Sequence, residues 1–294
     1  MKLSRAYRPA FFNIMKYTAS ILTAAALLFA GCSEGVTKGN VANLESDNLS
    51  GDIVSVLTES FRYTPDDDIT EVAVLNPEDG LTEYDKSGGK ISESHEDGTV
   101  IQYEHDRRGY LKSIRTYYID VDTTLMSTIR FKNRCNGDTK EQQTFDKNGM
   151  LVSKSVFKYD GDNVRITDYN ASGDKTSVTE LVFKDKNALQ YRIMPVEAEV
   201  DHRMEATYDE DGHLLTKNFV SKYEGSGLVR QTLFFNEKGI PVKSESDNPD
   251  LEEPMVETYT YEYDSLGNWT KKEIHIPSQT EPVGVIRRTI RYRE

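Results

Sequence analysis

The 294-residue chain has two cysteines, Cys32 and Cys135, too few for the disulfide framework that holds small secreted domains together. Histidine is also sparse. His95, His105, His202, His213 and His275 are scattered, and none stands in a His-Glu-x-x-His or His-x-His pair with metal-ligand spacing. A Gly-x-Ser-x-Gly elbow, a phosphate-binding loop and a dinucleotide fingerprint are missing. These gaps argue against an enzyme and lead us to expect no cofactor and no metal. Positive charge is short too, 36 Lys and Arg against 49 Asp and Glu for a net −13, and so acidic a body is a poor nucleic-acid binder. Beyond the N-terminus no window carries a sustained apolar recurrence at helical spacing, which leaves strands to build the domain.

The one long apolar run lies at the N-terminus. Lys2, Arg5, Arg8 and Lys16 form a basic region and Ala19 to Ala30 an apolar stretch too short to span a bilayer, so residues 1–31 read as a signal peptide. Leu28-Phe29-Ala30-Gly31-Cys32 resembles the lipobox of bacterial lipoproteins, with Phe29 in place of the usual Leu. The resemblance implies lipidation of Cys32, a membrane held through that anchor, and a place in the cell envelope. Cleavage would remove four basic residues and take the mature chain to near −17. Residues 32–49, poor in apolar side chains, read as a flexible tether, and residues 50–294 as one domain. With Cys32 committed to the anchor, Cys135 has no partner for an intrachain disulfide.

What the domain has in abundance is a turn signature: an aromatic, an acid or amide, two polar residues, a glycine, a spacer and an apolar residue. Tyr208-Asp209-Glu210-Asp211-Gly212-His213-Leu214 is one copy, and close copies begin at His105, Phe145, Phe235 and Tyr263, with looser ones at Tyr84, Tyr169 and Phe183. Glycine accepts positive φ without a Cβ clash, and Asp or Asn can bond the turn's own backbone, so each copy reverses the chain. Between copies lie period-two runs such as Val256 to Tyr263, where Tyr259, Tyr261 and Tyr263 share one face and Thr258, Thr260 and Glu262 the other. Asp52 to Tyr63 reads as the first strand, with a short helix over 53–60 as the competing reading. Two proline-containing gaps, Met194 to Glu205 and Ser244 to Pro254, read as long loops suited to recognition. The expected fold is all-β: an antiparallel meander of repeated hairpins forming one twisted or curled sheet.

With the repeats in view, Tyr261-Glu262-Tyr263-Asp264-Ser265-Leu266-Gly267-Asn268-Trp269-Thr270 resembles the YD repeats of RHS-type proteins, as found in envelope lipoproteins of Gram-negative bacteria. The similarity runs from about Tyr84 to the C-terminus. It implies long curling β-sheets that scaffold shells, binding surfaces or toxins, and it is silent on activity.

Tyr259, Tyr261, Tyr263 and Trp269 are the candidate binding residues, either a sugar-stacking platform on an exposed face or a cross-strand ladder that fills a thin core. Asp66-Asp67-Asp68 and Asp209-Glu210-Asp211 read as solvated turns or as weak cation sites. The expected function is a non-catalytic, lipid-anchored binding scaffold for an envelope protein or a glycan. The competing one is a carrier that holds a lipid or lipoprotein segment in a curled sheet.

Overall fold

The computed structural model describes residues 41–64, 70–73, 76, 79–184, 187–196, 201–222, 227–249 and 253–294. The expected signal peptide, residues 1–31, and Cys32 lie outside the described residues. Among the described residues nineteen strands follow one another: β1 (Ile53–Thr64), β2 (Thr70–Ala73), β3 (Gly80–Tyr84), β4 (Lys90–His95), β5 (Thr99–His105), β6 (Leu111–Ile119), β7 (Thr123–Asn133), β8 (Thr139–Asp146) and β9 (Leu151–Asp160). The second half continues with β10 (Asn163–Asn170), β11 (Lys175–Lys184), β12 (Asn187–Pro195), β13 (Asp201–Tyr208), β14 (Leu214–Lys222) and β15 (Leu228–Phe235). It ends with β16 (Pro241–Asp247), β17 (Met255–Tyr263), β18 (Trp269–His275) and β19 (Gly284–Tyr292).

The all-β antiparallel meander stands, but the sheet is closed rather than an open curl. One edge of β1 pairs with β19 and the other with β3, and from β3 onward every strand pairs with the next. All strands but β2, which extends the β3-facing edge of β1, therefore form one ring. The repeat itself supplies a reason for the curvature. In the turn after β5, Gly109 N–H donates to Asp106 O at 3.0 Å and Asp106 N–H to Tyr110 O at 2.8 Å, with Gly109 at φ 84°. This is a type I turn closed by a left-handed residue. The same two bonds recur at 85–89, 134–138, 146–150, 170–174, 209–213, 236–240 and 264–268. Beside each of these turns the ladder slips register, as between Glu104 and His105 or Glu262 and Tyr263. Each slip is a bulge that bends and twists its strand, and repeated bulges turn a flat meander into a barrel.

Alternation then sorts the side chains. Tyr159, Val164, Leu181, Tyr191, Met204 and Phe219 stand side by side across β9 to β14, on the face that also buries Phe157, Ile166 and Phe183. Two smaller clusters, Ile53–Val56–Tyr84 and Leu111–Ile114–Ile129, occupy the interior elsewhere. The opposite face carries ion pairs such as Lys132–Glu141 at 2.6 Å, Lys271–Glu262 at 3.0 Å and Arg165–Glu180 at 3.9 Å. Among the described residues no helix is long and apolar enough to cross a membrane.

Two expected boundaries move. Residues 41–49 are not a free tether: Ala42 packs on the Leu111 cluster, and Leu44 and Leu49 pack on the Ile53 cluster. The expected long loops are also shorter, because β12 runs to Pro195, β13 starts at Asp201, and β16 runs to Asp247. The first strand forms as a strand over Ile53–Thr64, without the competing helix.

Candidate functional site

The register sets Tyr261 opposite Lys272 and Ile286, and Tyr259 opposite Ile274 and Gly284, in rows continuous with the interior face. This β16–β19 wall brings the four candidate aromatics together. Tyr261 lies 5.9 Å from Trp269, edge to face, and 6.2 Å from Tyr263. Tyr259, Tyr261 and Trp269 are half-buried, and Tyr263 is exposed. Their faces are largely taken: Lys272 Nζ sits 3.9 Å over Tyr259, Lys238 Nζ 4.5 Å over Tyr263, and the Arg288 guanidinium 3.6 Å over Trp269. Such cation–π contacts leave ring edges and ammonium groups, rather than bare faces, to meet a ligand. Tyr259 OH donates to Glu257 Oε2 at 2.8 Å, and Tyr261 OH to Pro241 O at 2.6 Å. Burial, helped by the Glu257 carboxylate, pushes the Tyr259 phenol far above its ordinary range, so it remains a donor.

A second polar group, which sequence reasoning missed, is buried under the rim at the turn-rich end. Lys90 Nζ contacts Glu93 Oε1 at 2.7 Å and Asp47 Oδ2 at 3.0 Å; Tyr103 OH donates to Glu93 at 2.8 Å and Tyr84 OH to Asp47 at 2.5 Å. Burial raises the Asp47 carboxyl against the pull of Lys90. Burial also works to lower the Lys90 ammonium, but Glu93 and Asp47 hold it above its ordinary value. The sequence offered no signal here, because Asp47 falls in a stretch too polar to suggest packing.

The turn at 209–213 is the third place. Among the described residues, Asp209, Asp211 and His213 bring three ligand atoms within 4.8 Å of one another. Much of that capacity is already used. His213 N–H donates to Asp209 Oδ1 at 2.8 Å, and His213 Nδ1 lies 3.0 Å from Asp209 Oδ2. The first of these bonds is the main cause holding the Asp209 carboxyl below its ordinary value. The other acidic run, Asp66-Asp67-Asp68, lies outside the described residues. Cys135 is a free, exposed thiol in the 134–138 turn.

No family model matches the chain. Among curated proteins it is 26% identical over 238 residues to the tRNA3(Ser)-specific nuclease WapA of Bacillus spizizenii, covering 74% of this chain and 10% of that protein. It is 28% identical over 150 residues to the tRNA nuclease WapA of Bacillus subtilis, covering 49% of this chain and 5% of that one. The chain thus spans a tenth or less of these relatives. Similar solved structures include a porin-like protein from Bacteroides uniformis, at TM-score 0.42 and 10% identity over 81% of this chain and 98% of that one. They also include the TcdB2–TccC3 toxin complex, at TM-score 0.29 and 12% identity over 71% of this chain and 14% of that one. The expectation that the protein is not an enzyme is corrected by the curated relatives, both of which are named nucleases. Missing motifs do not exclude catalysis, because such lists cover only a few of the ways to assemble a catalytic site.

Proposed function

We propose that the barrel is an interaction scaffold, held at the cell envelope by a lipid on Cys32, and that it binds a protein or a glycan through the β16–β19 wall. The observation that carries this reading is the wall itself: Tyr259, Tyr261, Lys272 and Arg288 stay half-exposed on the interior face that elsewhere buries Phe157 and Leu181. Polar groups that converge beside aromatic edges are what a binding surface requires. The competing carrier reading needs an aliphatic cavity. This interior instead buries Lys90, Lys217 and Gln142 among its aromatics, which disfavours a lipid cargo.

The test measures binding of a panel of neutral and acidic oligosaccharides, and photo-cross-linking of envelope proteins from position 263, in the wild type and in Tyr261→Ala and Lys272→Ala. Loss of the same ligand or cross-link in both variants is expected, and retention in both would refute the wall. The anchor is tested separately. Cys32→Ala should move the protein to the soluble fraction and abolish palmitate labelling, and a variant that stays in the membrane would refute lipidation.

A second reading rests on the Asp209–Asp211–His213 group together with the names of the curated relatives. A divalent ion held there could polarise a phosphoryl oxygen and activate water for RNA cleavage. Incubation of tRNA with the protein and Mg²⁺ or Mn²⁺ checks it: cleavage should disappear in Asp211→Ala and in chelator. Cleavage that survives both would place any activity elsewhere.

A further inference from the structure

We propose that the rim at the turn-rich end is a peptide-binding site, filled here by the chain's own residues 41–49. The segment docks as a ligand would. Leu44 N–H donates to Gly88 O at 2.9 Å and Lys90 N–H to Ala42 O at 2.9 Å, an antiparallel bridge of Asn43 with Gly89 at the tip of the β3–β4 hairpin. Main-chain pairing of this kind is how extended peptides add to an exposed strand or turn. Leu44 and Leu49 then drop onto Ile53, Val56 and Tyr84, and Leu44 Cδ1 comes so near Gly88 that a Cβ there would lie 3.2 Å away. Between the two leucines, the Asp47 carboxylate reaches the buried Lys90 ammonium at 3.0 Å and accepts the Tyr84 hydroxyl.

Each contact is one that a separate peptide could make. The segment also holds its own shape. Asn43 N–H donates to Ser46 Oγ and Ser46 N–H to Asn43 Oδ1, both at 2.9 Å, which lowers the ordering cost of docking. Lys90 supplies the selectivity, since its ammonium, 5% exposed, already faces Glu93 and takes its second carboxylate from the segment. A buried charge of this kind rejects a neutral or basic side chain in the Asp47 position. The ligand class is therefore a short peptide that pairs at its first residues and then closes a turn, as Leu49 N–H does on Leu44 O at 2.9 Å, and that bears a leucine, an acid three residues on and a second leucine two residues beyond that. Covalent attachment keeps the resident copy at an effective concentration of order millimolar, so a free peptide competes poorly while the leucines are intact.

The test uses the full chain and a fluorescein-labelled peptide of residues 41–50, read by fluorescence anisotropy. In the full-length Leu44→Asp/Leu49→Asp variant, whose resident segment is expelled, the peptide should bind at least about tenfold more tightly than to the wild type. Asp47→Ala in the peptide, or Lys90→Met added to that variant, should each weaken binding by about tenfold or more, the loss of one charge-assisted bond. Equal binding to wild type and variant, or binding indifferent to Lys90→Met, would overturn the proposal. Should the double variant not fold, full-length Asp47→Ala serves instead, read by hydrogen exchange. The Leu44 and Lys90 amides should then exchange at least about tenfold faster while those of β9 to β14 hold their rates. Unchanged exchange at Leu44 and Lys90 would equally overturn it.

Discussion

The wall from β9 to β14 and the wall from β16 to β19 are made from one strand-and-turn unit, yet their interior faces differ in kind. On the first, Phe157, Ile166, Leu181, Phe183 and Met204 are buried against one another. On the second, Tyr259, Tyr261, Lys272 and Arg288 stand on the same interior face and remain half-exposed. The contrast separates two properties that the one repeat carries. Turn and bulge fix the backbone path in both walls, while the alternate positions between turns decide whether the face is dry and cohesive or wet and able to bind. Truncation should therefore be more costly on the first wall. Leu181→Ala should destabilise the barrel by about 2 to 5 kcal/mol, transfer loss plus cavity. Tyr261→Ala, half-buried and with one hydroxyl bond to lose, should cost about 1 to 2 kcal/mol. Urea melts of the two variants decide, and equal costs would mean that the β16–β19 wall is as dry as its counterpart.

Much of this backbone was readable from the chain, and little of its closure was. Glycines at 109, 149, 212, 239 and 267 announced their turns, and all take positive φ. Gly173, in the looser copy at Tyr169, does the same, and so does Gly137 in a turn that the motif search passed over; Arg134-Cys135-Asn136-Gly137 lacks the acid or amide at its first position. Period-two spacing correctly put Tyr259 and Tyr261 on one face. It could not say which face is inside, because that depends on β1 meeting β19 across nearly the whole chain, as in the pairing of Val56 with Ile290. Residues 41–49 were misread for a related reason. Two leucines in a polar stretch carry no periodicity, and their worth appears only when Tyr84 and Ile290 arrive from distant strands.

A smaller effect sharpens the view that the turns are equivalent in backbone and unequal in surroundings. Gly137 and Gly149 have similar φ, 91° and 79°. A Cβ on Gly149 would meet nothing within 4 Å, whereas one on Gly137 would stand 2.2 Å from a Tyr110 ring carbon. Gly149→Ala should then cost about 1 kcal/mol, the left-handed strain alone. Gly137→Ala should cost about 1 kcal/mol more, because the Tyr110 ring must also shift. Equal costs would show that Tyr110 yields freely and that neighbouring turns at this rim do not support each other.

The smallest effect is the one with pH, and its sign differs between the turns and the rim. Arg108 beside Asp106, and the His213 N–H on Asp209, hold those turn carboxyls below their ordinary values. Burial raises Asp85 and Asp264, but hydroxyl and backbone donors, Ser87 with Gly89 for one and Tyr292 with Asn268 for the other, outweigh it and leave both lowered. A carboxyl depressed in the folded state contributes stability that is present above the unfolded value, about 3.9, and is lost as pH falls through the lower folded one. Asp47 runs the other way. Its raised carboxyl subtracts stability above the unfolded value, and that cost fades as pH falls through the raised folded one. On acidification the urea midpoint should therefore hold or rise slightly down to about pH 4 and then fall. Asn170 and Asn236 occupy the same turn position without a titrating group and keep the same backbone bonds. Replacing Asp85, Asp106, Asp209 and Asp264 together by Asn should accordingly flatten the fall below pH 4 while leaving the shallow rise above it, and Asp47→Asn should remove only the rise. A fourfold variant with an unchanged acid limb would place the low-pH loss in other carboxylates and remove the turns from the pH response.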